Sequence, residues 1–384
     1  MSKTFAIHHS AAILSSVISA LILLTHTPNS LSLELGEPPT PATAPKGEIP
    51  APTPRGNLIQ GRAVDNGSVD IQNREAVRLL YINNYLPSNG VPMGFTGDIA
   101  SCHAGDTSQA YKDATLARIN YFRSMAGVAP SIAFDPVYSS KAQEAALMMA
   151  AQRSLSHTPS ADSWTCYTED GAEAASSSNL ALGVVGPDAI DAYIRDSGAH
   201  NYAVGHRRWL LYPQTQLMGT GNVSAAAVAN SVWVFDPNIW APRPATREEY
   251  VSWPPPGHIP YQLVPPRWSF SYAGADFSSA TVTMTDEHAN SLPVALETTV
   301  NGYGENTLVW LPTLDGQAPE CDTPYAVTID NVGIDSTPTT FNYTVMLIDP
   351  AATDPGSDPQ CTAGAAVNAS IIWLLIKSAN TEEE

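Results

Sequence analysis

Eight prolines fall within residues 238–266: Pro242, Pro244, Pro254, Pro255, Pro256, Pro260, Pro265 and Pro266. Proline removes a backbone donor and fixes φ, so this density resists both helix and sheet. The hydrophobic pattern also changes across it. Before it, apolar residues recur at helical spacing, as in Ala110, Ala114, Ala117 and Tyr121. After it they alternate, as in Trp268, Phe270 and Tyr272, or in Phe341, Tyr343, Val345 and Leu347. Two periods on either side of such a segment predict two independently folding domains, 74–240 and 267–365, joined by a linker at 241–266. A length of 384 residues accommodates both.

In the first domain, helices are expected over Arg74–Tyr85, over Thr107–Met125, after Asp135-Pro136, and from Pro187 to near Gly198. Asp135 supplies a cap and Pro136 a first-turn residue that needs no donor. Pro159 bars extension beyond that region. Strands are expected at Trp209–Tyr212 and Ser231–Phe235. In the second domain, short alternating strands parted by turn signals such as Asn301-Gly302 predict an immunoglobulin-like β-sandwich. Residues 366–384 read as a tail or edge strand, because the apolar run Ala369–Ile376 is too short to span a membrane. The fold class is α+β.

The N-terminus reads as an export signal over 1–32. Lys3 precedes an apolar run, Ala11–Leu24, of a length that suits a signal core and is short for a span. Cleavage after Ser32 is expected, with an uncleaved anchor as the alternative. A proline-rich stretch then reads as a disordered tether over 33–73. The net charge of −19 repels polyanions, which argues against nucleic-acid binding. Cys102, Cys166, Cys321 and Cys361 form no Cys-x-x-Cys pair, and an even count in an exported chain predicts disulfides. Local pairs Cys102–Cys166 and Cys321–Cys361 are expected, although three pairings are formally open.

Chemistry is expected where histidines and carboxylates gather in the first domain: His157, Glu173, Asp196 and His206. Asp196 ends a helix, where the dipole disfavours a carboxylate unless a cation, a metal or solvent compensates. An isolated histidine is more often packed or exposed than a ligand. The four therefore matter only if they converge.

The run from Leu116 to Trp233 resembles the CAP superfamily, which includes cysteine-rich secretory proteins, antigen 5 and plant pathogenesis-related proteins. Leu116-Ala117-Arg118-Ile119-Asn120-Tyr121-Phe122-Arg123 resembles its opening helix. Leu155-Ser156-His157 resembles the end of its second helix, and Gly205-His206-Arg207-Arg208-Trp209 its Gly-His signature strand. The double arginine is similar to a bacterial branch in which a β-domain often follows. The resemblance implies an α-β-α sandwich with a cleft lined by two histidines, here His157 and His206, and two acids, here Glu173 and Asp196. Asp196 stands where a longer glutamate is usual. On a strand, His206 and Arg208 would share a face, so Arg208 would weaken a cation's binding and favour an anion. Its alternative role is pairing with a carboxylate such as Asp196.

Three functions follow. The first is an exported binding protein, secreted or at the cell envelope. It would take weak Zn²⁺ on His157, His206, Glu173 and Asp196, or a lipid, sterol or envelope ligand near Arg208 and Ser156, as the resemblance implies. The second is a hydrolase with a histidine base and water or Ser156 as nucleophile. The third is a purely adhesive protein.

Overall fold

The computed structural model describes residues 32–41, 66–314, 316 and 318–352. Its elements run β1 (Glu34–Leu35), α1 (Arg74–Leu80), α2 (Gln109–Met125), β2 (Ala133–Phe134), α3 (Pro136–Gln152), α4 (Glu169–Ser177), β3 (Ser178–Leu182), α5 (Gly186–Arg195) and α6 (Gly205–Leu210). There follow β4 (Leu217–Ser224), β5 (Val228–Trp233), β6 (Val251–Trp253), β7 (His258–Pro260), β8 (Trp268–Ser271), β9 (Thr281–Thr285), β10 (Ser291–Leu292), β11 (Val294–Leu296), β12 (Thr307–Pro312), β13 (Thr323–Ile334) and β14 (Thr337–Ile348).

The helices start where local chemistry says they should. Asp135 accepts from the Val137 and Tyr138 amides, with Pro136 in the first turn, and α3 stops at Arg153 in the left-handed region. Ser108 caps α2 and Asn73 caps α1. The expected helix over Arg74–Tyr85 continues past α1 as a wider π-type turn, Tyr81–Tyr85.

A sheet in the order β1-β3-β5-β4-β2 lies between two helical layers. Period-two alternation assigns its faces. Leu180, Leu182, Ala229 and Trp233 pack with Ala146, Met149 and Ala174 of α3 and α4. Ala181, Val232 and Met218 pack with Ile119 of α2 and Ile190 of α5. Gly219 and Gly221 let α3 lie directly on β4, since a Cβ at Gly221 would stand 2.1 Å from the Ala142 carbonyl oxygen. The expected α-β-α sandwich is present.

Two further sheets, β10-β9-β13-β14-β7 and β11-β12-β8-β6, make the C-terminal β-sandwich. Trp268 of one meets Tyr325 of the other edge-on at 6.4 Å, and Trp310 Nε1 donates to Met284 Sδ across the core.

Several expectations change. The segment 241–266 is not an irregular connector: it supplies β6 to one sheet of the sandwich and β7, parallel to β14, to the other. Its prolines cluster beside these short strands, and Pro254–Pro256 are buried. The segment Trp209–Tyr212 is not a strand, because α6 runs through Leu210. Glu173 lies on a helix, α4, that its sequence did not announce. The expected tether of 33–73 is docked over 33–41, where β1 pairs with β3. Its last residues, 66–73, are ordered as well: Ile71 is buried and its carbonyl accepts from the His258 amide at 2.8 Å, and the Val69 amide donates to Ser124 Oγ at 2.9 Å. The middle of that tether, 42–65, residues 1–31 of the leader and the tail 353–384 lie outside the described residues. The bridge Cys102–Cys166 is formed, with Cα atoms 5.1 Å apart. The expected pair Cys321–Cys361 involves Cys361, which lies outside the described residues.

Candidate functional site

Helix α5 ends at Arg195, and Asp196 follows in the left-handed region at φ 47°. This turn throws its carboxylate back under the start of α6. Oδ2 accepts from the amides of His206 at 2.9 Å and Arg207 at 3.2 Å, and Oδ1 accepts from His206 Nδ1 at 2.8 Å. Both side chains are fully buried. The unfavourable placement at one helix end is thus answered by the donor-rich start of the next. A carboxylate only accepts, so His206 Nδ1 carries a proton. The imidazole stacks on Tyr193 with centroids 5.4 Å apart, and its Nε2 is buried with no partner among the described residues.

The two arginines point away from this pair, along the seam with the β-sandwich. Arg207 donates to the last carbonyls of α5, Ile194 at 2.6 Å and Arg195 at 3.2 Å, and to Ser269 Oγ of β8 at 2.9 Å. Arg208 donates to the carbonyls of Val300 and Glu305, each at 2.8 Å, and lies over the Tyr303 ring at 5.5 Å. Burial pushes Arg207 down to about 9 and Arg208 down to about 10. On a helix of this pitch His206 and Arg208 diverge, so the expected shared face is absent. Arg208 is occupied by carbonyls rather than aimed at a ligand.

His157 follows α3. Its Nδ1 faces Ala175 O at 2.5 Å and its Nε2 faces Glu37 O at 2.6 Å. Carbonyls only accept, so each of these contacts is a hydrogen bond when the ring nitrogen that makes it carries the proton. Glu173 sits on the exposed face of α4 with Lys141 Nζ at 2.5 Å. Ser156 Oγ accepts from the Thr158 amide at 3.0 Å.

The structure therefore brings Asp196 and His206 together, turns His157 toward residues 36–39, and leaves Glu173 outside. Among the described residues no group of three or more His, Cys, Asp or Glu is placed to hold a metal ion. As placed, the expected zinc ligands do not form one donor set.

What does converge is a groove. Trp209 Nε1 donates to Pro39 O at 2.8 Å, two residues beyond the carbonyl held by His157. Two residues of extended chain span about 7 Å, so His157 and Trp209 line one cleft. Gly205 and Tyr303 meet Pro38 between them. Trp209 and Tyr303 were not among the expected site residues; only the place of Trp209 at the end of the Gly-His motif hinted at it. Residues 116–236 match the model of the CAP family, the cysteine-rich secretory protein family. No curated protein matches the sequence.

Proposed function

From the match of residues 116–236 to the CAP family we propose that the protein is an exported CAP-domain binding module whose cleft holds its ligand without chemistry. The way the cleft residues are engaged carries this reading. Asp196 gives both oxygens to His206 and the start of α6, and His157 gives both nitrogens to carbonyls. Groups so engaged shape a wall, whereas a general base or a metal ligand needs a lone pair facing the reactant. No Gly-x-Ser-x-Gly elbow and no His-Glu-x-x-His motif occurs in the sequence. Export is supported by the apolar run Ala11–Leu24 and by the bridge Cys102–Cys166. No helix among the described residues is long and apolar enough to cross a membrane. The partners proposed are envelope components, lipid or sterol among them.

One observation favours a hydrolase as the second reading. Asp196 holds His206 Nδ1 and leaves the buried Nε2 unpartnered, which is the pairing of orienter and base found in hydrolases. The test sediments the purified chain with isolated envelope material and assays ester and peptide reporters in parallel. Co-sedimentation without turnover is the expected result. Turnover that disappears in His206→Gln would replace the binding reading with the hydrolase. Zinc binding by calorimetry, lost in both His157→Ala and His206→Ala, would establish the divalent-metal reading instead.

A further inference from the structure

The sheet of the CAP domain has an edge that the domain does not close by itself. Without β1, β3 would be the edge strand, and an open edge is a template for another strand. Glu34 and Leu35 occupy it, paired antiparallel with Leu182 and Ala181, and the Gly36 amide donates to Leu180 O at 3.1 Å. The chain then leaves the sheet and is gripped by side-chain donors. His157 Nε2 donates to Glu37 O at 2.6 Å and Trp209 Nε1 to Pro39 O at 2.8 Å.

Pro38 and Pro39 are buried between these grips. Pro38 lies so close over Gly205 that a Cβ there would stand 2.5 Å from its ring, and 3.0 Å from Tyr303. The Glu37 charge is also felt at Tyr303, whose hydroxyl is pushed up by burial first and by Glu37 next.

These hydrogen bonds all go to main-chain atoms of the segment, and the prolines supply the apolar surface. Strand addition here continues into recognition of a proline-bearing segment by an indole donor that reads a carbonyl and by rings that pack on prolines, the means by which proline-rich ligands are bound elsewhere. We propose that the groove formed by β3, His157, Gly205, Trp209 and Tyr303 is a binding site for an extended, proline-containing peptide, occupied in this structure by the chain's own residues 34–41. The proposal rests on the reading of the cleft as a binding site and names its ligand class. Because the occupant is tethered, its effective concentration is on the order of millimolar. A peptide from another molecule must displace it.

The test uses a fluorescein-labelled peptide with the sequence of residues 32–41 and the full chain in two forms, wild type and a form with Pro38→Gly and Pro39→Gly. The glycines weaken the tethered occupant and leave the groove walls unchanged. By fluorescence anisotropy, the labelled peptide should bind the glycine form at least ~10-fold more tightly than wild type. Adding Trp209→Phe, which keeps a ring and drops the donor, should weaken that binding about five-fold. Equal and negligible binding to both forms, with melting curve and bridge intact, overturns the proposal. Should the glycine form not fold, hydrogen exchange supplies the second measurement. Gly205→Ala places a methyl under Pro38 and should raise exchange at the Gly36 amide at least ~10-fold, with β4 and β5 amides unchanged. Unchanged exchange at Gly36 would sink the idea equally. Mass spectrometry of the recovered peptide separates the two levels. A bound peptide that is cleaved supports the peptide groove and refutes binding without chemistry. Envelope binding with no peptide binding refutes the peptide class alone.

Discussion

Asp196 shows how a residue that is poorly placed by local rules is retained. A carboxylate just past a helix meets the negative end of the dipole, yet here it accepts three hydrogen bonds, two from amides and one from an imidazole. Removing it strands three buried donors. Asp196→Ala is expected to cost about 3–5 kcal/mol, the range for breaking a buried pair from one side. Asp196→Asn keeps one acceptor but turns an amide N–H toward donors, so it should recover only part of the loss. Urea denaturation with an unchanged m-value reads the difference. An Asp196→Ala chain more stable than wild type would mean that the residue is held for chemistry at the expense of stability, and would favour the hydrolase.

At the scale of elements, α6 is the hinge between what could and could not be foreseen. Helices α2, α3 and α5 were legible because caps and apolar stripes are local: Asp135-Pro136 opens α3, and Ile190, Tyr193 and Ile194 are buried on α5. The Gly-His-Arg-Arg-Trp-Leu run of α6 is buried throughout. A run without a wet face shows no period, and here the Asp196 cap and the carbonyls holding the arginines decide the conformation. The pairing of Asp196 with His206 was within reach of the family resemblance. The partners of His157 were not, because Glu37 O and Ala175 O are main-chain atoms that carry no side-chain signature. Arg208→Ala tests the revised role of α6. It strips donors from the Val300 and Glu305 carbonyls, and should lower stability by about 2–4 kcal/mol while leaving any zinc titration unchanged. Arg208→Lys should rescue little, because an ammonium lacks the planar fork that reaches both carbonyls. Tighter zinc binding in Arg208→Ala would restore the cleft-facing arginine.

At the scale of the molecule, the bridge Cys102–Cys166 closes a span of 64 residues, and replacing both cysteines with serine should cost about 4 kcal/mol on the chain-entropy account. Cooperativity is the larger question. The described residues fall in one compact unit, and one buried cluster runs from Ile119 and Phe122 through Trp253 to Phe270 and Trp310. Phe122 of α2 meets Trp253 of β6 edge-on at 5.3 Å. Polar ties cross the same seam: Arg207 to Ser269, Arg208 to Val300 and Glu305, and Arg247 to the carbonyls of Ser124 and Met125. Unfolding either half would break these bonds, worth about 1.5–3 kcal/mol each where a charged group donates, and would expose the apolar seam at about 25 cal/mol per Å². Such coupling is comparable with the whole stability of an ordinary domain. The full chain is therefore expected to melt in one transition, with calorimetric and van't Hoff enthalpies equal. Pieces covering 66–240 and 241–352 should each melt well below it or not fold. Two resolved transitions in the full chain, matched by the isolated pieces, would instead establish two independent domains and reduce the seam to a contact between finished folds.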